Sequence, residues 1–113
     1  MQFYVCPVCG NLIASVSDTS VSCCGKKLKA LQAQKAEAQD KLNVEIIENE
    51  YCISCAHEMQ KSHYISFVAF LTGDTVVLRK QYPEWDLQTR LPMFSHGTLL
   101  WYCTRHGLFY QTV

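Results

Sequence analysis

Two pairs of cysteines near the start of the chain have the spacing of metal ligands. Cys6 and Cys9 are separated by two residues and followed by Gly10, and Cys23 and Cys24 are adjacent. The chain can curl around one ion between cysteines spaced in this way, because the glycine tolerates the positive φ of a tight turn. Four thiolates in a tetrahedron select zinc or iron. We therefore predict a closed metal centre that is either structural or transfers electrons without binding substrate.

A second set of possible ligands lies in the C-terminal two thirds of the chain. It consists of His57, His63, and the pair Cys103 and His106, which are separated by two residues and followed by Gly107. A tight turn would bring the thiol and the imidazole of this pair to one side, where both reach the same ion. Three neutral nitrogens and a thiolate suit iron, and an ion bound in this way has coordination positions left open. An open position distinguishes a reactive site from a closed one.

Composition limits the classes of function. The chain has 113 residues, 49% of them hydrophobic, so it can form one small core and an appended module. Its 10 Lys+Arg balance its 10 Asp+Glu, which argues against a nucleic acid or an anionic membrane as partner. No apolar run is long enough to span a bilayer, and the first residues lack the layout of a signal peptide. Seven cysteines without such a signal favour metal binding in a reducing compartment, so we expect a cytoplasmic protein.

The pattern of apolar residues and turns predicts a mainly β protein. A four-cysteine domain and its linker are expected over residues 1–36, and an antiparallel β-sandwich over 37–113. Residues 31–42 are rich in Ala, Gln, Lys and Glu and predict a short solvated helix that joins the two. A polar loop containing proline is expected between residues 78 and 98. The predicted strands cover 3–5, 12–16, 44–47, 51–55, 64–71, 75–78, 98–103 and 108–113.

These motifs carry a resemblance to a known family. The opening Met1–Asn11, with its Cys-Pro-Val-Cys-Gly-Asn, and the later Cys-Cys-Gly resemble the desulforedoxin-type domain of desulfoferrodoxins. The stretches His57-x-Met59, His63-Tyr64-Ile65 and Cys103-x-x-His106-Gly107-Leu108 are similar to the iron-binding motifs of their superoxide reductase domain. Order and spacing agree over nearly the whole chain.

The resemblance implies two iron centres. A small rubredoxin- or desulforedoxin-like domain would hold iron through the four N-terminal cysteines. An immunoglobulin-like β-sandwich would hold a second iron, with His57, His63 and His106 as equatorial ligands and Cys103 as the axial thiolate. In the family this second iron reduces superoxide to hydrogen peroxide. The resemblance also implies a homodimer, an electron relay at the four-cysteine iron and an external electron donor such as a rubredoxin-like protein.

The sequence departs from the family pattern at one ligand. The family carries Glu-Lys-His-x-Pro before its β domain, which supplies a fourth histidine and a lysine that attracts superoxide. Here the matching segment is Asp40-Lys41-Leu42-Asn43-Val44, so Lys41 fills the lysine position while Leu42 stands where the histidine should be. The proline that usually follows the His57 position is Glu58. The second site therefore holds iron with fewer protein ligands, holds zinc in a closed four-ligand set, or holds no metal.

Two further residues are candidates for the missing ligand. Cys55 shares a strand face with His57 if the chain is extended there, and His96 lies in a loop ahead of Cys103. Cys52 and Cys55 form a Cys-x-x-Cys, but in a strand their side chains point to opposite faces, so we predict buried thiols rather than a zinc knuckle.

Three hypotheses of different classes follow. The first is a superoxide reductase-like non-haem iron enzyme, which the Cys-x-x-His-Gly turn favours. The second is a non-catalytic electron carrier that uses only the four-cysteine iron. The third is a structural zinc protein whose β-sandwich binds a partner. Leu42 favours the second and third. Both iron hypotheses predict a coloured oxidised protein, whereas a zinc protein is colourless.

Overall fold

The chain forms two compact units, Met1–Gln32 and Ala33–Val113. The computed structural model describes residues 1–17, 19–55, 58–93 and 96–113. The division falls ahead of the boundary expected after residue 36, because Gln34–Lys35 forms a strand of the second unit's sheet. Over the described residues, no helix has both the length and the apolar character needed to cross a membrane.

The first unit is built from two short antiparallel hairpins. Strand β1 pairs with β2 from Gln2 opposite Ser15 to Val5 opposite Leu12, and β3 pairs with β4. Among the residues of this unit that the structure describes, Tyr4, Cys6 and Leu28 form a buried cluster with a few half-buried neighbours, and Phe3 is buried as well. So small a core cannot stabilise a domain without a metal or another cross-link. The strands are β1 (Gln2–Val5), β2 (Leu12–Ser15), β3 (Val21–Cys23) and β4 (Lys26–Leu28).

The second unit contains two sheets. Its elements are β5 (Gln34–Lys35), a 3-10 turn (Ala38–Asp40), β6 (Asn43–Ile47), β7 (Glu50–Ser54), β8 (Ile65–Thr72), β9 (Thr75–Lys80), β10 (Gln88–Pro92), β11 (Thr98–Cys103) and β12 (Gly107–Thr112). Five strands form one sheet in the order β5-β12-β11-β8-β9, and three form the other in the order β10-β7-β6. All pairings are antiparallel except that of β5 with β12.

An apolar core draws residues from both sheets of the second unit. Ile53 of β7 and Leu91 of β10 share one buried cluster with Val68 of β8 and with residues of β11. The rings of Tyr51 and Phe70, one from each sheet, have centroids 5.6 Å apart. This is the inward-facing packing of a β-sandwich. The predicted mainly β fold, with a cysteine cluster ahead of an antiparallel sandwich, is confirmed.

Two local predictions are wrong. The segment 31–42 does not form a helix: Gln34–Lys35 is a strand parallel to β12, Ala36 is buried, and a single 3-10 turn follows. Helix propensity is a weak preference, and the backbone hydrogen bonds offered by the open edge of β12 override it. The polar loop expected between 78 and 98 contains strand β10, whose Leu91 is fully buried. Most residues of β10 are polar, so the sequence pattern did not indicate a strand there. Pro92 is tolerated because it lies at the end of an edge strand.

Candidate metal centres and the cavity beside them

The four N-terminal cysteines converge on one point in the first unit. The sulfurs of Cys6, Cys9, Cys23 and Cys24 all lie within 4.8 Å of one another. The Sγ atoms of Cys9 and Cys23 are 3.6 Å apart, and those of Cys23 and Cys24 are 4.0 Å apart. A tetrahedral ion with metal–sulfur bonds of about 2.3 Å requires sulfurs about 3.8 Å apart. The predicted four-cysteine set therefore has the dimensions of a metal centre.

Backbone conformation brings these sulfurs together. The N–H of Gly10 donates to the carbonyl of Cys6 at 2.9 Å, which closes the turn that carries Cys9. Gly10 has a φ of 73°, a value that favours glycine. In the second hairpin Cys24 itself has a φ of 53°, so its thiol turns toward the thiol of Cys23. Cys6 is buried whereas Cys9 and Cys24 are exposed, which places the centre at the edge of its unit.

The thiols of this cluster have strongly different acidities. Backbone N–H groups of Cys9 and Val8 donate to the sulfur of Cys6 and lower its pKa to about 6. The pKa of Cys24 is raised to about 12, because it shares hydrogen bonds with the neighbouring thiols, that of Cys9 first, and these favour its protonated form. The pKa of Cys23 is raised for the same reason. A metal ion must therefore displace protons from Cys23 and Cys24 when it binds.

These acidities predict a pH-dependent metal affinity at the four-cysteine site. Above a pH of about 6 Cys6 is already a thiolate, so it contributes little further pH dependence. Cys24 stays protonated up to a pKa of about 12, so the apparent affinity rises with pH through the neutral range. Each displaced proton contributes about a tenfold rise per pH unit. Competition with a zinc chelator between pH 6 and pH 9 measures this slope, and a flat profile would contradict it.

The second cluster lies at one end of the five-stranded sheet. His63, Cys103 and His106 place one ligand atom each within 4.8 Å of the others. The Cys103 sulfur lies 3.1 Å from Nε2 of His63 and 3.4 Å from Nδ1 of His106. The two imidazole rings meet edge to face, with centroids 5.0 Å apart. Cys103 is buried, His63 is half-buried and His106 is exposed, so the cluster opens toward solvent on the His106 side.

Strand β11 and the turn that follows it set this geometry. Cys103 is the last residue of β11 and lies opposite Gly107, whose φ of 95° turns the chain so that His106 faces back toward the thiol. The pairing of β11 with β8 shifts register between Tyr102 and Cys103, which re-aims the sulfur. On the other side, the N–H of Thr104 donates to the carbonyl of Tyr64 at 3.0 Å. This bond holds the turn beside the loop that carries His63.

Glu58 is a functional candidate that sequence reasoning did not identify. Its Oε2 lies 2.7 Å from Nδ1 of His63, on the side of the ring away from Cys103. A carboxylate five residues ahead of a ligand histidine is a faint signal, because only the loop geometry brings the two together. The loop is closed by reciprocal backbone bonds between Gln60 and His63, of 3.0 and 2.9 Å.

A cavity of about 800 Å³ adjoins the second cluster. Cys103 and His106 line it from the sheet, and Lys41 lines it from the segment ahead of β6. Asp40 and Asn43 line the same cavity. Lys41 thus lines the same cavity as Cys103 and His106.

Leu42 is part of the sandwich core. It is 4% exposed and belongs to the same buried cluster as Ile53 and Trp101. Its backbone is fixed by Gln111, whose side-chain amide accepts a bond from the Leu42 N–H at 2.9 Å and donates one to its carbonyl at 3.4 Å. The position that supplies a histidine in the family therefore supplies core packing here.

The remaining candidates are placed differently. Cys55 lines the cavity together with Cys103, but it is not part of the cluster of mutually close ligand atoms. His96 precedes β11, whose first residue lies about 17 Å along the strand from Cys103. The structure therefore does not bring His96 and Cys103 together. Cys52 lies on the outer face of the three-stranded sheet, where it lines a groove with Glu45 and Arg90. His57 lies outside the described residues.

Comparison with known proteins identifies the family. The chain is 30% identical over 118 residues to a desulfoferrodoxin homolog of Archaeoglobus fulgidus, covering 96% of this chain and 94% of that protein. It is 25% identical over 117 residues to a desulfoferrodoxin of Syntrophotalea carbinolica, covering 96% and 93%. No family model matches the chain. At this identity and coverage the chain belongs to the desulfoferrodoxin family.

Solved structures show the same fold. The superoxide reductase from Treponema pallidum superposes with a TM-score of 0.80 at 18% identity, covering 97% of this chain and 96% of that one. A superoxide reductase from Giardia intestinalis gives a TM-score of 0.54 at 15% identity, covering 64% of this chain and 93% of that one. The desulfoferrodoxin resemblance of the motifs is thereby confirmed, and so is the superoxide reductase-like β fold. The chain is therefore a member of the desulfoferrodoxin family with a superoxide reductase-like fold and two clusters of side chains that could hold metal ions.

Proposed function

We propose that this protein reduces superoxide to hydrogen peroxide at an iron held by His63, His106 and Cys103. The observation that carries the proposal is the convergence of these ligand atoms at the wall of a cavity that Lys41 also lines. His57 completes the proposed ligand set by its position in the motif. The overall reaction adds one electron and two protons to superoxide.

The dimensions of the cluster fit a metal ion. Bonds of about 2.1 Å to nitrogen and about 2.3 Å to sulfur separate neighbouring ligand atoms by about 3.1 Å at a right angle and about 3.6 Å at a tetrahedral angle. The nitrogen–sulfur distances of 3.1 and 3.4 Å lie within this range. Iron bound here would supply the one-electron couple, and its potential would be tuned by the thiolate of Cys103.

The residues of the chain have separate roles in this proposal. Lys41 raises the local concentration of an anionic substrate, since its charge lies at the wall of the cavity. The exposed side of His106 leaves the cavity open to solvent, from which both protons are taken. Burial of Cys103 limits the contact of its sulfur with bulk solvent.

The proposed function also covers the electron supply, the assembly and the location of the protein, as the resemblance implies them. The four-cysteine iron acts as an electron relay, an external donor such as a rubredoxin-like protein re-reduces the catalytic iron, and the protein is a cytoplasmic homodimer. The thiolate ligand set of the first centre supports the relay, because a closed site can exchange electrons without binding substrate.

The test is metal content combined with superoxide reduction by protein purified without oxygen. We expect iron at both sites, with loss of the second iron alone in Cys103→Ser and of the first alone in Cys9→Ser. Superoxide reduction should be lost in Cys103→Ser and kept, in a single turnover of pre-reduced protein, in Cys9→Ser. Lys41→Ala should lower the second-order rate constant about tenfold and weaken its dependence on ionic strength.

Other outcomes would support the other hypotheses. If the iron content is unaffected by Cys103→Ser, the protein is an electron carrier with a single iron centre, and the proposal of an enzyme is overturned. Zinc at both sites in a colourless protein would leave a structural role only. Removal of superoxide at the same rate by the chain and by its Cys103→Ser variant would likewise exclude the proposed site.

A further inference from the structure

The imidazole of His63 bridges a carboxylate and a thiol. Its Nδ1 faces Oε2 of Glu58 at 2.7 Å, and its Nε2 faces the sulfur of Cys103 at 3.1 Å. The His63 side chain is 14% exposed and the Glu58 side chain 48% exposed, so the carboxylate caps the ring from the solvent side. The two contacts use both nitrogens of one ring.

This arrangement selects one tautomer of His63. An ionised carboxylate only accepts hydrogen bonds, so the neutral ring carries its proton on Nδ1 and donates it to Glu58. The lone pair of Nε2 then points toward Cys103, where a metal ion would lie. A histidine ligand must be neutral at the coordinating nitrogen, and the hydrogen bond at its other nitrogen decides which one that is.

A carboxylate hydrogen-bonded to a ligand histidine raises the basicity of the ring and fixes its orientation. The contact of Glu58 with Nδ1 of His63 therefore favours the binding of a metal ion at Nε2, the nitrogen that faces Cys103.

We propose that Glu58 is a positioning residue that holds His63 in its Nδ1–H tautomer and so maintains metal affinity at the second site. This inference rests on the proposed function to the extent that the second site binds a metal. Glu58 does not contact the ion or the substrate; it acts through His63. The backbone bonds between Gln60 and His63 keep the loop closed whether or not the carboxylate is present.

Cobalt(II) titration tests the effect on the metal. The difference in thiolate-to-cobalt absorption between the chain and its Cys103→Ser variant isolates the second site from the first. Glu58→Ala should weaken cobalt binding at this site about 10- to 100-fold, and Glu58→Gln by less, because its amide oxygen still accepts a bond. Glu84→Gln is the matched control, because it removes an equal negative charge from a neighbouring loop. Oε1 of Glu84 lies 4.0 Å from Nζ of Lys61. The cobalt affinity of Glu84→Gln should not change.

Nitrogen-15 NMR of the metal-free chain tests the tautomer directly. The ring of His63 should show a protonated Nδ1 in the unaltered chain and a shift toward protonated Nε2 in Glu58→Ala. A merely structural role of Glu58 would leave the tautomer unchanged. This readout requires no metal and no activity, and its first arm uses the unaltered protein.

The outcomes separate this inference from the proposed function. If cobalt binding depends on Cys103 but the cobalt affinity of Glu58→Ala is within twofold of that of the unaltered chain, the role of Glu58 is overturned and the proposed metal site stands. If Glu84→Gln loses as much cobalt affinity as Glu58→Ala, the loss comes from the removal of a negative charge near the site and not from the contact with His63. This result also overturns the role of Glu58. Absence of any Cys103-dependent cobalt absorption in the unaltered chain overturns both. A protonated Nε2 in the unaltered chain overturns the tautomer assignment.

Discussion

Removing the metal from the four-cysteine centre is expected to unfold Met1–Gln32 while Ala33–Val113 stays folded. The first unit buries few apolar side chains, and its sulfurs are held at its edge by two short hairpins. A structural tetrathiolate site contributes on the order of 10 kcal/mol to folding, far more than so small a core can supply. The second unit has a core of its own that includes Phe70 and Trp101.

Hydrogen exchange after chelation measures this result. Amides of β1 to β4 should lose their protection, while those of β8 and β11 keep theirs. Cys9→Ser should reproduce the pattern without chelator, and Cys52→Ser serves as control because Cys52 lies on the outer face of the sandwich. Persistent protection in the first unit without metal would show that its apolar contacts suffice.

Restoring the family's histidine by Leu42→His is expected to destabilise the second unit and not to rebuild the site. Leu42 is 4% exposed and packed within the sandwich core, so the change removes apolar contacts and buries a polar ring. We expect a loss of about 2–4 kcal/mol in the free energy of unfolding. Urea unfolding with and without metal gives the value.

The size-conserving variant Leu42→Met is the control for Leu42→His. It should cost less than about 1.5 kcal/mol, since methionine fills a similar volume without a polar atom. Metal affinity at the second site should be equal in both variants. A metal-dependent stabilisation of Leu42→His that Leu42→Met lacks would mean that residue 42 can turn toward Cys103.

The sequence predicted the parts of the structure that depend on local chemistry. The four-cysteine cluster follows from the spacing of Cys6 and Cys9 and from a glycine that permits the turn. The strands of the sandwich follow from apolar runs such as the one that became β8. Cys103 and His106 were predicted to meet because a tight turn before Gly107 puts the thiol and the imidazole on one side, and their ligand atoms lie 3.4 Å apart.

The parts that the sequence could not predict depend on distant pairings. The segment around Gln34 has helical composition, yet it became a strand because the edge of β12 was available to it. The contact between Glu58 and His63 depends on how a loop closes, which no residue pattern encodes. Strand β10 was not predicted because most of its residues are polar and face outward. Its one buried residue, Leu91, lies opposite Tyr51.

The contacts of residues 34–42 with β12 and the turn before it also fix where Lys41 lies at the cavity. Gln34 donates to the carbonyl of His106 at 3.1 Å, Ala36 donates to that of Tyr110 at 2.9 Å, and Gln111 holds the backbone of Leu42. The cation of Lys41 and the imidazole of His106 are therefore carried by one hydrogen-bonded frame. A slip of one residue in the pairing of β5 with β12 would displace the chain that leads to Lys41 by about 3.3 Å. The position of the Lys41 charge at the cavity is thus a matter of strand register, set by these main-chain and side-chain hydrogen bonds to β12 and the turn before it.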